Sequence, residues 1–313
     1  MTDIHDVIII GGGIASHTAA LYTARASLKP VVIIATEPDQ LSLTTLVENY
    51  PGFPEGIMGP DLVTNCKKQA EKFGASYVDG FADSFEIKKG YFEIGVGKKK
   101  FKSRTVIIST GASARKLGIL GEDKYFGRGV STCAICDSAL YRNKVVVVVG
   151  GGDSAMEETL ALYKFASKIY LIHRRDQFKA SKIMQDRVLK LKDKVQIILN
   201  TTVTEVLGDG KFVTGVKIKN LVTDKEDTIK CDGMFLAVGH IPNTIIFKGK
   251  INLDDEGYII TDKLMRTNVP GVFAAGDVQD RIFKQAVTSA GSGCMAAIES
   301  EKFIENLKAG GKY

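Results

Sequence analysis

The chain has 313 residues, of which 44% are hydrophobic and 25% are charged, a length that suits two domains better than one hydrophobic core. Its mean hydropathy is close to zero, and no apolar run reaches the roughly 18 residues that a membrane span needs, so we expect no transmembrane helix. Because the N-terminus leads directly into a strand-like segment, we also expect no signal peptide.

Charge and cysteine content narrow the class of protein further. The net charge of +6 is modest, and the densest basic run, residues 98–104, lies between two strand-like segments. We interpret this run as a solvated hairpin, which disfavours nucleic-acid binding. Five cysteines, with only two of them in one tight motif, do not form a disulfide framework. They predict a reducing, cytoplasmic compartment and one redox-active dithiol.

The first half of the chain begins with a βαβ unit. Hydrophobic periodicity predicts a strand over 4–10, a helix over about 15–26 and a strand over 30–35. Short β-like stretches follow at 85–96 and 101–109. The second of these leads into a small-residue turn, as expected for a buried strand.

The second half begins with another βαβ unit, whose first strand starts at residue 144. The later elements are predicted to be a helix over 154–165, strands over 168–172, 195–200, 211–219, 233–238 and 271–277, and a final helix over about 286–307. The strand over 271–277 resembles the first half more than the second. The sequence therefore predicts an α/β fold of two Rossmann-like nucleotide-binding domains, with 115–244 inserted into a domain formed by 1–114 and 245–313.

The first βαβ unit carries a glycine motif, Gly11-x-Gly13-x-x-Ser16, directly after its first strand. Glycines at this point let a pyrophosphate approach the N-terminus of the following helix. Ser16 stands where a third glycine or alanine is usual, and its small side chain should be tolerated. Glu37, 24 residues beyond Gly13, is placed to accept a hydrogen bond from a ribose 2′-hydroxyl. The alternative for Glu37 is a surface acid in a loop.

The second βαβ unit carries a cleaner motif, Gly150-x-Gly152-x-x-Ala155. An acidic residue at the end of its second strand would select a free 2′-hydroxyl, but this chain has Arg174 and Arg175 there. Two guanidinium groups suit a 2′-phosphate, so the motif predicts NADPH binding. The alternative is a basic cluster that only solvates the rim of the domain.

Between the two motifs lies Cys133-Ala134-Ile135-Cys136, followed by Asp137. Two cysteines at this spacing can close a small disulfide ring, and once reduced, one thiolate can attack while the other resolves. The carboxyl group of Asp137 can carry the proton that the reaction needs. A zinc site would need four ligands, and the other three cysteines are scattered without a second pair, so we disfavour zinc.

Seven segments, taken together with the glycine motifs, resemble the low-molecular-weight thioredoxin reductases, in order and over essentially the whole chain. The segments are CAICD at 133–137, HRRD at 173–176, VENYPG at 47–52, TGASAR at 110–115, GHIPN at 239–243, GVFAAGDV at 271–278 and KQAVTSAGSGCMAA at 284–297. The resemblance implies a homodimeric flavoprotein that passes electrons from NADPH through FAD to its own disulfide and then to thioredoxin. The 115–244 domain would bind NADPH, and the other would bind FAD.

The resemblance also implies roles for individual residues. The FAD contacts would be Gly11, Gly12, Gly13, Ile14, Ala15, Gln40, Asn49, Gly276, Asp277, Lys284, Gln285 and Ala286. The NADPH contacts would be Gly150, Gly151, Gly152, Asp153, Ser154, His173, Arg174, Arg175 and Lys179. Cys136 would lie next to the flavin, and Cys133 would attack the substrate disulfide. Rotation of the domains about crossings near 113–116 and 241–244 would let nicotinamide and disulfide take turns at the flavin.

The chain departs from the family pattern at a few positions. Ile14 replaces a usual proline, Pro38-Asp39 replaces two glycines before Gln40, and Lys179 and Lys284 replace arginines. Two alternative functions stay open at this point. One is a related flavin–dithiol enzyme with another electron donor or acceptor. The other is a non-catalytic nucleotide-sensing protein, which would be expected to lose the redox residues that this chain retains.

Overall fold

A computed structural model describes residues 4–35, 39–44 and 46–310. Its α-helices are α1 Ile14–Arg25, α2 Gly59–Lys72, α3 Ala134–Asp137, α4 Asp153–Tyr163, α5 Lys182–Leu189 and α6 Ala286–Lys308. Its strands are β1 Ile4–Ile10, β2 Val31–Ile34, β3 Leu46–Val47, β4 Ile57–Met58, β5 Ser76–Asp79, β6 Ser84–Lys88, β7 Tyr91–Val96, β8 Lys99–Ile108, β9 Ala112–Ala114, β10 Val130–Ser131, β11 Val145–Gly150, β12 Lys168–Ile172, β13 Val195–Ile198, β14 Thr201–Gly208, β15 Val213–Asn220, β16 Glu226–Lys230, β17 Gly233–Ala237, β18 His240–Pro242 and β19 Val272–Ala274. Across these described ranges, no helix combines the length and apolar character needed to cross a membrane.

The chain divides into two compact units. The first comprises the described residues up to Ser113 and from Ile241 onward, and the second is Ala114–His240. The first boundary lies one residue before the one expected from the sequence, and the second lies four residues before it. The chain passes between the units through β9 and β18, which pair with each other.

The first unit is built on a seven-stranded sheet in the order β5-β2-β1-β8-β7-β6, with β19 also paired to β8. The strands β5, β2, β1, β8 and β19 are parallel, so their carboxyl ends meet at one edge. The β1 residues Val7–Ile10 are almost fully buried because apolar clusters cover both faces of the sheet. This burial explains why β1 reads as a continuous apolar run without alternation.

Helices α1 and α6 pack against each other on one face of this sheet. The approach is close at Gly293 in α6, where a Cβ would lie 2.3 Å from the Ala15 carbonyl oxygen. A side chain at Gly293 would therefore push the two helices apart. This packing places the first half of α6 beside the start of α1.

The second unit contains a five-stranded parallel sheet in the order β10-β17-β11-β12-β13. Helices α4 and α5 contribute to the apolar cluster on one face, and the antiparallel sheet β14-β15-β16 covers the other. The central strand β11 is buried on both sides, which accounts for its five consecutive valines. The two helices and β14–β16 thus enclose the strand that carries the second glycine motif.

The basic run over 98–104 begins at the turn between β7 and β8 and continues along β8, which pairs antiparallel with β7. Lys98, Lys99 and Lys100 are exposed, and Lys100 Nζ lies 2.8 Å from Glu93 Oε1 on the neighbouring strand. The prediction of a solvated hairpin is confirmed.

Candidate active site

The glycine turn after β1 accepts only glycine at its first position. Gly11 has φ +137°, and a Cβ there would lie 2.1 Å from the Ser109 carbonyl oxygen. Ser16, the departure from the usual third glycine, is fully buried, and its Oγ lies 2.8 Å from Ser109 Oγ. A serine therefore fits at position 16 because its hydroxyl hydrogen-bonds to Ser109, the residue that follows β8. Gly13 precedes α1 without a side-chain cap, which leaves backbone N–H groups free for an anion such as a pyrophosphate.

A second segment, Gly276–Asp277, lies beside this turn. Gly276 has φ +75°, and its Cβ would lie 2.9 Å from the Ala15 Cβ. Asp277 Oδ1 accepts a hydrogen bond from Ser289 Oγ at 3.0 Å. Burial raises the pKa of Asp277 to about 6, although the Ser289 hydrogen bond opposes this rise. The fold therefore places a partly desolvated carboxyl group next to the glycine turn.

The turn before α6 is held by Asp280, whose carboxylate accepts hydrogen bonds from the backbone N–H groups of residues 282, 283 and 284. Lys284 adopts φ +49°, a left-handed conformation that few side chains occupy. Gln285 then caps α6 reciprocally with Thr288, and its Oε1 accepts a hydrogen bond from Asn49 Nδ2 at 3.3 Å. Asn49 and the 284–286 segment, predicted separately, are thus brought together.

The segment after β2 is partly described. Glu37 and Pro38 lie outside the described residues, so the ribose role expected of Glu37 stays a prediction. Asp39 Oδ1 accepts hydrogen bonds from the amides of Leu41 and Ser42 at 3.0 and 3.2 Å, so the aspartate that replaces a glycine forms a turn of its own. Gln40 donates from Nε2 to the Ala112 carbonyl oxygen.

In the second unit, the glycine turn after β11 is equally crowded. At Gly150 a Cβ would lie 2.4 Å from the Ala237 carbonyl oxygen, and at Gly151 it would lie 2.2 Å from the His173 ring. The Gly151 carbonyl accepts a hydrogen bond from the Lys179 amide at 2.7 Å. Gly152 precedes α4 without a side-chain cap. Asp153 ties this turn to the next loop, because its Oδ1 accepts from the Ser181 amide and hydroxyl, each at 2.8 Å.

The loop after β12 presents the cations that the sequence predicted. Arg174, Arg175 and Lys179 are exposed, and none forms an ion pair with another residue of the described ranges. His173 is buried, and burial lowers its pKa. Its Nε2 is buried without a hydrogen-bond partner in the described part of the chain. Unpaired cations, an unpartnered ring nitrogen and a glycine turn that a Cβ would fill together fit a phosphorylated dinucleotide.

The redox motif lies at the start of α3. Cys133 and Cys136 form a disulfide with a Cα–Cα distance of 5.3 Å. Cys133 is the N-cap of α3, and its Sγ accepts a hydrogen bond from the Cys136 amide at 3.2 Å. The Cys133 amide donates to Ser131 Oγ at 3.1 Å. Both cysteines are half-buried, while Ile135 between them is exposed.

Asp137 ends α3, and burial raises the pKa of its carboxyl group while a hydrogen bond to Ser131 lowers it. The remaining cysteines, Cys66, Cys231 and Cys294, are free thiols. Burial raises the pKa of Cys66 and that of Cys231, the latter to about 12, so neither forms a thiolate readily. Among the described residues, Cys133 and Cys136 are the cysteines that form a disulfide.

Residues 5–293 match the pyridine nucleotide-disulphide oxidoreductase family. The chain belongs to this family. A thioredoxin reductase of Rickettsia conorii is 48% identical over 303 residues, which cover 95% of this chain and 97% of the relative. A thioredoxin reductase of Listeria monocytogenes is 47% identical over 306 residues, with coverage of 97% and 95%. These identities place the chain among the thioredoxin reductases of the family.

Solved structures agree with this placement. Thioredoxin reductase from Streptococcus pyogenes superposes with a TM-score of 0.93 at 40% identity, covering 98% of this chain and all of that one. The enzyme from Giardia duodenalis gives a TM-score of 0.89 at 42% identity, with coverage of 96% and 98%. The predicted family, the α/β fold of two Rossmann-like domains and the oxidoreductase class are confirmed. Flavin and NADPH are the cofactors that this family implies.

Sequence reasoning missed two residues that organise the site, Ser131 and Asp280. Ser131 contacts both Asp137 and the Cys133 amide, and Asp280 shapes the turn before α6. The signal for Ser131 was a serine two residues before the CxxC motif. For Asp280 it was an aspartate followed within a few residues by a helix start, a pattern typical of turns that cap backbone N–H groups.

Proposed function

We propose that this protein is an NADPH-dependent thioredoxin-disulfide reductase that uses FAD and the Cys133–Cys136 disulfide. The observation that carries the proposal is the polarised redox pair, in which the Cys136 amide donates to Cys133 Sγ. The chain that contains this pair is 48% identical to a curated thioredoxin reductase over nearly its full length. The intact pair argues against a non-catalytic sensor.

FAD would be held in the first unit. Its pyrophosphate would be bound at Gly11–Ala15, its ribityl chain by Asp277, and its ring by the Lys284–Ala286 segment, with further contacts from Gln40 and Asn49. Gly11, which leaves no room for a Cβ, supports this assignment. When bound, FAD would pass to the disulfide the two electrons that NADPH supplies.

NADPH would be held in the second unit by Gly150–Ser154, with its 2′-phosphate on Arg174, Arg175 and Lys179. His173 would support this turn, because its ring lies directly against Gly151. The arginines can fork onto a phosphate, whereas Lys179 contributes charge without a planar fork.

Cys133 would be the attacking sulfur. After reduction, the Cys136 amide stabilises a Cys133 thiolate, which attacks a sulfur of the thioredoxin disulfide, forms a mixed disulfide and expels one thioredoxin thiolate. Asp137 takes the proton from the Cys136 thiol. The Cys136 thiolate then attacks Cys133, which restores the Cys133–Cys136 disulfide and releases the second thioredoxin sulfur.

We further propose a homodimer in a cytoplasmic compartment, with thioredoxin or a thioredoxin-like protein as partner. The family resemblance supports the dimer and the partner. The three free thiols outside the redox pair support a reducing environment.

The proposed function is tested by anaerobic titration of the purified protein with NADPH and with NADH, followed by oxidised thioredoxin. We expect a yellow protein that NADPH reduces far faster than NADH, and that then reduces thioredoxin. Arg174→Ala combined with Arg175→Ala should remove about 2–4 kcal/mol of preference for NADPH, because two charge-assisted contacts are lost.

The matched control combines Lys190→Ala with Lys192→Ala, which removes two exposed charges of the same unit after α5. It should leave the preference unchanged. Equal rates with both coenzymes in the unmodified protein would contradict NADPH dependence, and failure to reduce thioredoxin would favour a related flavin–dithiol enzyme.

A further inference from the structure

Asp153 is the first residue of α4, and its carboxylate contacts the residue that precedes α5. Asp153 Oδ1 accepts two hydrogen bonds from Ser181, one from the amide and one from the hydroxyl, each at 2.8 Å. The two residues are 28 positions apart in the chain, so the contact does not arise within one turn or one helix. It joins the glycine turn after β11 to the end of the loop that carries the exposed cations.

The Ser181 side chain does not have the usual function of a serine at its position. Ser181 is the N-cap of α5, where a serine oxygen ordinarily accepts a hydrogen bond from an amide of the first helical turn. Within the described residues, Ser181 makes no such side-chain cap. Its hydroxyl donates to Asp153 instead. Helix capping therefore does not account for the contact.

The glycine turn also holds the two residues before Ser181. The Gly151 carbonyl oxygen accepts hydrogen bonds from the amides of Lys179 and Ala180, at 2.7 and 3.1 Å. Of the two acceptors on the turn, the Gly151 carbonyl belongs to the backbone and the Asp153 carboxylate to a side chain. A substitution at Asp153 can therefore loosen the loop while the backbone contacts stay in place.

The other end of the loop is held from a different direction. The Asn200 amide, in the segment after β13, donates to the Arg175 carbonyl oxygen at 3.0 Å. The segment after β13 thus holds Arg175, whereas the glycine turn holds Lys179. Asp153 therefore acts on the end of the loop that contains Lys179.

Lys179 depends more on its backbone position than an arginine would. Its side chain is exposed, and an ammonium group on four flexible carbons lacks the planar fork of a guanidinium. A guanidinium can meet a phosphate with two parallel hydrogen bonds, whereas an ammonium acts as a point charge, so its contribution falls with distance from the phosphate. The backbone contacts of residues 179–181 therefore set how well this cation can serve a phosphate.

We propose that Asp153 is a positioning residue for coenzyme selectivity. Through Ser181 it holds the Lys179 end of the loop at a fixed distance from the glycine turn, so that the ammonium group meets the 2′-phosphate while the turn binds the pyrophosphate. The proposal rests on the proposed function for the assignment of these two phosphate sites. Because Oδ1 is occupied by Ser181, the carboxylate acts through the loop and not by contact with the coenzyme.

Two other roles of Asp153 would give different results. An acid in the first turn of α4 stabilises the helix dipole, and a direct contact with the pyrophosphate would affect NADPH and NADH alike. Neither role changes the ratio of kcat/KM for NADPH to kcat/KM for NADH, because the two coenzymes differ only in the 2′-phosphate. This selectivity ratio therefore isolates the effect of Asp153 on the loop.

The first test measures the selectivity ratio with oxidised thioredoxin as the acceptor. Asp153→Ala should lower the ratio about fivefold, because the loop loses two hydrogen bonds to a charged acceptor that water replaces only in part. Asp153→Asn, whose amide oxygen can still accept both bonds, should restore most of the ratio. Ser181→Ala, which keeps the amide donor, should lower the ratio about twofold. Glu157→Ala, the matched control, removes an exposed acid from the same helix and should leave the ratio unchanged.

The second test asks whether Asp153 acts through Lys179. Lys179→Ala should lower the selectivity ratio by itself. When it is combined with Asp153→Ala, the further decrease should be less than about 1.5-fold, because the cation that the carboxylate positions is absent. A fully additive decrease would overturn the proposed action through Lys179.

The third test measures the loop without turnover. Calorimetry of the full-length protein compares adenosine 2′,5′-bisphosphate with adenosine 5′-monophosphate, and Asp153→Ala should lower the ratio of their affinities about fivefold. Trypsin, which cleaves after lysine and arginine, should cut the Asp153→Ala protein faster after Lys179, because that end of the loop opens more readily. Glu157→Ala should be cut at the rate of the unmodified protein.

An unchanged selectivity ratio in Asp153→Ala overturns the proposal, including the case in which activity with both coenzymes falls equally. Equal losses in Asp153→Ala and Asp153→Asn also overturn it, because they would assign the effect to charge. An unmodified protein that does not prefer NADPH overturns the proposed function instead. In that case the rate of trypsin cleavage after Lys179 still decides whether Asp153 holds the loop.

Discussion

At the scale of single residues, Cys133 and Cys136 share one disulfide and a similar burial, yet one hydrogen bond distinguishes them. The Cys136 amide faces Cys133 Sγ at 3.2 Å, and no amide of the described chain donates to Cys136 Sγ in return. A backbone donor stabilises a thiolate and lowers its thiol pKa. This hydrogen bond supports the proposed role of Cys133 as the nucleophile.

We therefore expect Cys136→Ser to form a mixed disulfide with thioredoxin through Cys133, because no second sulfur remains to resolve it. Cys133→Ser should form much less of this complex. Non-reducing gels and mass spectrometry of the linked peptides measure both, and Cys66→Ser, at a free thiol, serves as the control. A complex linked through Cys136 would reverse the two roles.

Asp277 makes the protein without cofactor less stable at high pH. Burial raises its pKa to about 6 from 3.8, so the folded state binds this proton more tightly than the unfolded state. The cost is therefore fully present above pH 6 and is relieved as the pH falls towards 3.8. Asp277→Asn should stabilise the apoprotein at pH 8 by up to about 3 kcal/mol, at about 1.4 kcal/mol per pKa unit, with little effect near pH 4.

Urea unfolding at the two pH values measures this difference. The amide oxygen that Asp277→Asn introduces could still accept the hydrogen bond from Ser289, so the substitution removes charge without removing the contact. Asp79→Asn, at an exposed position at the end of β5, is the matched control. An equal change at both pH values would contradict the assignment.

At the scale of elements, hydrophobic runs identified the buried parallel strands well. The predicted strand over 168–172 coincides with β12, and the long helix over about 286–307 is α6. Helices α2 and α5 were not predicted, because each buries few side chains, α5 only Val188. Strand β16 was missed for the same reason, since only Ile229 of its five residues is buried. These elements are defined by their neighbours more than by their own pattern.

In the candidate site too, features formed by neighbouring residues could be predicted from the sequence, whereas contacts between distant residues could not. Both glycine turns could be predicted, because a strand, two glycines and a helix start are adjacent in sequence. The bond from Ser16 to Ser109 joins residues 93 apart, and no local pattern predicts it. Contacts of this kind depend on strand order, which becomes known only in the folded sheet.

The turn before α6 offers a test at this scale. Asp280→Ala should destabilise the protein by about 1–3 kcal/mol, because three backbone N–H groups lose their acceptor while Lys284 keeps its left-handed conformation. It should also weaken flavin retention. Urea unfolding and the flavin-to-protein absorbance ratio measure the two effects.

Glu256→Ala, at an exposed position, provides the comparison for Asp280→Ala and should change neither quantity. Unchanged stability in Asp280→Ala would show that the turn is held by other contacts.

At the scale of the whole molecule, strand β19, near the end of the chain, belongs to the same sheet as β1 at its beginning. Its residues Val272–Ala274 pair with Val106–Ile108 of β8, and Gly276 follows directly beside Ala15. The likeness of the 271–277 segment to the first half of the chain anticipated this placement. The exact register could not be anticipated, because it depends on packing against both apolar clusters.

The proposed homodimer is tested at the same scale. Sedimentation equilibrium at micromolar concentration should give a protein mass twice the 33.9 kDa of the chain. The same two-chain state is expected with and without bound flavin. A dilution series would separate a stable dimer from a weak association. A mass of one chain throughout the series would contradict the dimer.

Because β9 pairs with β18, the two ends of the inserted segment lie next to each other. Segments whose two ends lie together can be exchanged between scaffolds with little disturbance to either. Residues 114–240 contain both the loop with Arg174 and Arg175 and the Cys133–Cys136 pair. If residues 114–240 were exchanged between two such proteins at β9 and β18, the chimaera would therefore take both its coenzyme preference and its redox disulfide from the protein that donated this segment.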